Sequence, residues 1–186
     1  MSDAATTTEI QDESPRLIRE DRGAVTTVTL NRPAKMNALS GGMLDELLSI
    51  LGDIAADRSV RVVVLAANGK AFCTGHNLKD IRANYTLDYQ TELFAKSSEV
   101  MLAILRLPQP VIAKVHGMAT AAGCQLVATC DIAIAGHSAT FGTSGINNGL
   151  FCSTPAVALS RNVSRKHAME MLLTGDFIDA NRGEDI

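Results

Sequence analysis

Apolar and polar positions along the chain alternate between two periods. Ala24–Leu30 (AVTTVTL) is β-branched and bounded by Gly23 and Pro33, so it predicts a strand. A polar turn over Asn31–Asn37 follows. From about Ser40 to Arg58 the spacing becomes helical: Met43, Leu44, Leu47, Leu48, Leu51, Ile54 and Ala55 recur on one face, with Ser40 placed to cap the first turn. Arg61–Ala67 (RVVVLAA) is a continuous apolar run of strand length, the pattern of a parallel strand covered on both faces. After a Gly-bearing loop, Asn68–Asn77, helical spacing returns over Leu87–Leu107. Its apolar positions are Leu93, Phe94, Val100, Met101, Ile104 and Leu105, and Pro108 stops it. Val111–His116 predicts a strand, Ala119–Thr129 a helix of small residues, and Asp131–Ala135 a further strand. Ser164–Thr174 predicts a last helix with Ser164 as its cap. Strands alternating with helices over this length predict right-handed βαβ units and an α/β fold.

Composition narrows the picture. The 186 residues are 46% hydrophobic and 20% charged, which suits one globular domain. A net charge of -3, with no Trp and 4% aromatics, argues against nucleic acid or an anionic membrane as partner. Apolar runs such as Val62–Ala67 are too short to cross a bilayer. Cys73, Cys124, Cys130 and Cys152 form no C-x-x-C pair, which predicts reduced core thiols and no metal site. Residues 1–15 carry four acids and no base. They lack the marks of a transit or signal peptide and predict a disordered acidic tail on a cytoplasmic protein, the folded core running over 16–186.

In βαβ units, ligands gather where strands end and helices begin. Two loops at such junctions, Phe72–Gly75 and Ala121–Gly123, are built of small residues that let a ligand approach main-chain N–H groups. Two such donors converging on one oxygen would stabilise an enolate or tetrahedral oxyanion. Glycines in these places also fit plain turn punctuation, and the loops alone leave both readings open.

The residues in these positions together resemble the enoyl-CoA hydratase/isomerase (crotonase) superfamily. Asn31–Leu39 (NRPAKMNAL) is similar to the family's N-R-P-x-x-x-N-A-L segment, and Ala71–Leu78 (AFCTGHNL) to its F-x-A-G-x-D-L loop. His116–Asp131 (HGMATAAGCQLVATCD) is similar to its G-x-x-x-G-G-G-x-E-L-x-x-x-C-D segment. The runs AAGCQL at Ala121–Leu126 and GLFCSTP at Gly149–Pro155 resemble one branch in particular. The resemblance implies a spiral of ββα turns, a trimer or dimer of trimers, and an acyl-CoA thioester as ligand, with coenzyme A part of the substrate and no separate cofactor. It implies that the N–H groups of Thr74 and Ala122 form an oxyanion hole. It also implies that Lys35, Met36 and Ala38 line the adenine and pantetheine path, and that Ala71, His76, Asn77 and Leu78 lie along the thioester. Lys35 as a point charge on a CoA phosphate and Lys35 as a solvated side chain are both compatible with its position.

The pattern departs from the family at the chemistry. Hydration needs a base for water and an acid for the α-carbon. The two glutamates that serve active hydratases align with Gln125, whose amide does not titrate, and with Gly145, which has no side chain. His76 resembles the methylmalonyl-CoA decarboxylase branch, where a histidine binds the departing carboxylate. The tyrosine expected to assist there falls near Cys152, so a structural loop histidine is the competing reading. His116, His137, His167 and Asp131 are expected in structural or solvated roles. Family members continue for several helices beyond the point where Ala180–Ile186 begins a helix. The expected function is therefore an acyl-CoA-binding protein with the two-donor hole retained. The alternatives are a catalytically inactive binding or assembly protein and a decarboxylase-type member using His76.

Overall fold

The computed structural model describes residues 14–186. Most of the expected acidic tail lies outside them; of its last two residues, Pro15 offers its carbonyl to the Asn31 side-chain amide at 2.9 Å.

Among the described residues, nine strands and seven α-helices are wound largely as ββα turns, as the alternation of periods predicts. β1 (Leu17–Arg22) and β2 (Val25–Leu30) form an antiparallel pair, followed by α1 (Gly41–Ala56). β3 (Val62–Ala67) and β4 (Ala71–Cys73) lead to α2 (Leu78–Ala83) and α3 (Leu87–Arg106). β5 (Val111–Val115) and β6 (Met118–Thr120) lead to α4 (Ala122–Thr129). β7 (Ile132–Ala135) and β8 (Thr140–Gly142) lead to α5 (Ser153–Asn162). α6 (Arg165–Thr174), β9 (Ile178–Asp179) and α7 (Ala180–Glu184) close the described chain.

β1 and β2 share one sheet with the first strand of each later turn, ordered β1-β2-β3-β5-β7, while β4, β6 and β8 form another with β9, ordered β4-β6-β8-β9. Within the first, β2, β3, β5 and β7 are parallel, with Val25 opposite Val62, Val63 opposite Val111 and Ile112 opposite Ile132. Within the second, β4, β6 and β8 are parallel, and Thr120 pairs with Gly142. β4 and β6 are neighbours in the second sheet, and each leads through a short loop or directly into a helix, α2 and α4. That repetition positions the two small-residue loops side by side.

The main core lies between α1, α3 and the five-stranded sheet, around Leu30, Leu44, Leu47, Val63, Phe72, Val100 and Ile104. The Ser40 hydroxyl caps α1 by accepting from the Met43 N–H. Leu48 is only partly buried and Ala55 is exposed, so the buried stripe of α1 is narrower than its apolar pattern. On α3 the buried stripe is Leu93, Ser97, Val100, Met101 and Ile104. Phe94 and Leu105 fall one position off it and stand 37% and 64% exposed.

Other expectations are corrected. Ala119 and Thr120 are not the start of a helix but the end of β6, held by parallel pairing to β8, and the helix begins at Ala122. The segment Asn68–Asn77 contains strand β4. Ser164 occupies the cap position of α6, yet its hydroxyl meets His167 Nδ1 at 3.0 Å and makes no cap bond. The charged edge strand β1, the short strands β8 and β9, and helix α5 were absent from the periodic pattern.

Candidate functional site

The chain from Pro33 to Ser40 runs against the loop that follows β4. A 3-10 turn at Pro33–Lys35 leads into two left-handed residues, Met36 (φ 52°) and Asn37 (φ 51°). Asn37 is fully buried and organises both segments. Its Oδ1 accepts from the Arg32 N–H at 2.8 Å, and its Nδ2 donates to the carbonyls of Asn68 and Ala71 at 2.8 and 2.9 Å. Asparagine tolerates the left-handed region and supplies both donor and acceptor, which explains this residue type here.

Three further bonds seat the loop. The Thr74 hydroxyl donates to the Met36 carbonyl at 3.2 Å. The Leu39 N–H donates to the Gly75 carbonyl at 2.8 Å, and the Asn77 N–H donates to the Leu39 carbonyl at 3.3 Å. The structure thus brings Met36 and Ala38 beside Ala71, Thr74, His76 and Asn77, which lie more than thirty residues away in sequence. Lys35 sits at the exposed end of the same segment. Asn77 caps α2 by accepting from the Lys79 N–H, a structural role, and Leu78 opens that helix 58% exposed.

The second loop meets the first at Gly75. Its φ is +82°, and a Cβ built there would lie 3.0 Å from both the Ala122 nitrogen and the Ala121 Cβ. Gly123 is equally constrained, because a Cβ on it would meet the Cys73 carbonyl. Ala121 joins β6 to α4 with φ 51° and ψ −123°, a conformation that costs an L-residue energy and occurs where the surrounding structure enforces it. The Ala121 N–H continues the sheet ladder to Gly142, and the Gln125 N–H closes the first helical turn onto Ala121. Neither the Thr74 nor the Ala122 N–H donates to another main-chain carbonyl among the described residues outside the regular elements. Ala122 opens α4, so the helix dipole favours negative charge at that nitrogen.

The polar side chains around these loops are largely desolvated. Gln125 is buried on α4, and its Oε1 has no hydrogen-bond partner. His76 packs edge-on against Phe94, ring centroids 5.0 Å apart, with Nε2 buried and unpartnered. Burial without a compensating charge pushes the His76 pKa down to about 4, so its imidazole is neutral at physiological pH. Phe94, read as core, instead covers this histidine, a role that periodicity did not reveal. Gly145 lies in the 3-10 segment Ser144–Asn148, where a Cβ would meet Cys152 Sγ at 2.6 Å and the Leu150 carbonyl oxygen at 2.8 Å. A side chain at position 145 would therefore require Cys152 and the Leu150 carbonyl to move.

Several bystanders have structural roles. His116 Nε2 meets the Gly69 carbonyl at 2.6 Å, and an Asp131 carboxylate oxygen accepts from the Val111 N–H at 2.7 Å. All four cysteines are buried free thiols, and burial raises Cys73, Cys124 and Cys130 to about 12, far from nucleophilic. A cavity of about 560 Å³ opens beneath β7, between α4, α5 and α7. None of the ten sequence-derived site residues lines it.

A spiral of ββα turns with two apposed strand-to-helix loops defines a class, and the family comparison agrees: residues 20–185 match the enoyl-CoA hydratase/isomerase family, to which this chain belongs. Similar curated relatives include enoyl-CoA hydratase domain-containing protein 3, mitochondrial, from Xenopus laevis, 46% identical over 90% of this chain and 57% of its own. The protein of that name from Homo sapiens is 48% identical over 84% of this chain and 52% of its own. Among solved structures, an enoyl-CoA hydratase of Mycobacterium smegmatis is 59% identical with a TM-score of 0.91, over 92% of this chain and 67% of that one. Human enoyl coenzyme A hydratase domain-containing protein 3 gives 45% and 0.87, over 90% and 66%. The chain spans little more than half the length of these curated relatives. The word mitochondrial in their names stands against the cytoplasmic expectation. No helix among the described residues is long and apolar enough to cross a membrane.

Proposed function

We propose that this protein binds an acyl-CoA thioester where the two loops meet and polarises its carbonyl with the Thr74 and Ala122 N–H groups. The single observation that carries this reading is the contact between Gly75 and the Ala122 nitrogen, with α4 starting at that point. Two N–H groups on adjoining loops, one at a helix start, favour an enolate or tetrahedral oxyanion over the neutral carbonyl. Met36, Ala38, Ala71, Asn77 and Leu78 border the remainder of the thioester, and Lys35 supplies a cation for a CoA phosphate. Coenzyme A enters as part of the substrate, and the active form is a trimer or a dimer of trimers.

The chemistry is not ordinary hydration. Gln125 cannot take a proton at neutral pH, and position 145 offers no carboxylate. Turnover then favours steps that need carbonyl polarisation more than a carboxylate base, such as thioester hydrolysis or isomerisation. Decarboxylation with His76 as a cation for the departing carboxylate is the weaker reading, because burial keeps His76 neutral. Calorimetry with crotonyl-CoA, paired with a hydration assay on the same ester, tests the proposal. Micromolar binding without hydration is the expected result; absence of binding to any CoA ester overturns it.

A further inference from the structure

β7 is the last strand of the five-stranded sheet, and no strand among the described residues pairs with its free side. Edge strands are commonly blunted by charge, by proline, by a bulge or by a covering segment. β7 reads Ile-Ala-Ile-Ala, and all four residues are exposed, Ile132 at 52% and Ile134 at 59%. Its register identifies the main-chain groups that stand open. Val115 lies opposite Ala135, and the Gly136 N–H donates to the Val115 carbonyl at 2.8 Å. In a parallel ladder the residue opposite a bonded one turns its own N–H and C=O the other way, and the direction alternates along the strand. Ala133 and Ala135 therefore direct theirs at the open edge, whereas Ile132 and Ile134 use theirs on β5.

This open stretch is complementary to itself. A second copy laid antiparallel about a two-fold axis at Ile134 sets Ala133 of each chain opposite Ala135 of the other. Each such pair then exchanges both N–H···O bonds, so the open groups of both alanines are satisfied. The same axis brings Ile134 against Ile134 as a non-hydrogen-bonded pair, where cross-strand side chains lie closest. It also sets Asp131 of each copy opposite His137 of the other, both exposed, so an acceptor faces a ring that can donate and no like charges meet. Any other strand would need its own match to this pattern, and the chain itself supplies one.

We propose that β7 is the seam of a two-fold dimer, its open edge taken by β7 of a second copy. The seam uses none of the residues assigned to the thioester site and does not depend on it. Two-fold seams give assemblies with an even number of chains. Of the two assemblies proposed above, the seam selects the dimer of trimers.

Light scattering on the full chain, on Ile134→Lys and on Ala133→Pro tests the seam. The parent is expected to have the mass of an even number of chains. Ile134→Lys sets two ammonium groups against each other on the axis and halves that mass, at a side chain too exposed to disturb the fold. Ala133→Pro removes an N–H that only the seam uses, a place where an edge strand tolerates proline, and also halves it. Cross-linking with copper–phenanthroline reads the register. Ile134→Cys is expected to give a disulfide-linked pair on a non-reducing gel, while Ile132→Cys, which faces Gly136, gives none. A parent with the mass of a single chain or of three overturns the inference and leaves the edge to a different strand. A mass unchanged by both substitutions, or cross-linking at position 132 in place of 134, overturns it equally.

Discussion

Gly75 stands so close to Ala122 that a β-carbon on it would lie 3.0 Å from the Ala122 backbone nitrogen. That close approach joins the two loops, and a β-carbon there would fit only if its neighbours gave by a few tenths of an ångström. Gly75→Ala adds a methyl at a residue whose φ of +82° already disfavours any side chain. The substitution is expected to destabilise the protein by about 1–3 kcal/mol. It should also weaken crotonyl-CoA binding, because the Thr74 and Ala122 nitrogens are pushed apart. Thermal melting and calorimetry check the two effects together. A variant with unchanged melting and unchanged affinity would show that the loops tolerate separation.

Asn37 ties the segment from Pro33 to Ser40 to the chain around β4 from within. Its side chain accepts from Arg32 and donates to Asn68 and Ala71, and no solvent reaches it. Asn37→Ala leaves two carbonyls and one N–H without their partner in a buried setting and puts alanine in the left-handed region. A loss of about 2–4 kcal/mol is expected in urea unfolding. Asn37→Asp keeps the acceptor and loses both donors, so it should fall near the alanine variant rather than near the parent.

The parts of this architecture visible in sequence are those governed by long periods. The buried stripe of α1 could be read directly, because one core covers it along its length, whereas β3, expected to be covered on both faces, buries only Val63 and Leu65 and leaves the residues between and beyond them partly exposed. Short strands could not. β4, β6 and β8 are three residues each, and only pairing with one another makes them strands, which is why Ala119 and Thr120 looked like the start of a helix. The site shows the same division. Thr74, His76, Gln125 and Asn37 all fall in motif segments, but the motif gives Asn37 no role beyond the polar turn, and Phe94 reads as core. Asn37 matters through contacts to Asn68 and Ala71 that no local spacing encodes. Phe94 was one position away from the true stripe, and its ring turned out to face His76.

His76 links the site to the pH dependence of folding. Its folded-state pKa lies near 4, lowered by burial, against 6.5 for the free side chain. The unfolded chain therefore binds more protons than the folded one between those values. Stability from keeping His76 neutral is fully present above about pH 6.5 and is lost as pH falls toward 4, by up to about 3 kcal/mol. His76→Phe retains the ring contact with Phe94 and removes the titrating nitrogen. Urea unfolding from pH 7 to pH 4 should show a shallower loss for this variant than for the parent. Identical slopes would place the histidine's proton elsewhere.

Gly145 decides whether hydratase chemistry can be rebuilt. Alignment alone suggests that Gln125→Glu together with Gly145→Glu would restore both carboxylates. The structure argues otherwise for the second change. A Cβ at 145 meets Cys152 Sγ at 2.6 Å and the Leu150 carbonyl oxygen at 2.8 Å, and the Leu150 N–H already donates to the Gly145 carbonyl at 3.0 Å. Cysteine could swing aside, but the closed backbone turn cannot yield without losing that bond. Gly145→Glu is expected to cost about 2–4 kcal/mol by overpacking, and Cys152→Ala to return only part of it. Gln125→Glu alone should fold, since it preserves shape. The double glutamate variant should show no hydration of crotonyl-CoA, as its second carboxylate has no place on this turn. Denaturation midpoints and the hydration rate measured on one preparation distinguish the outcomes: a stable double variant that hydrates would mean that the 144–152 turn rearranges to admit the side chain.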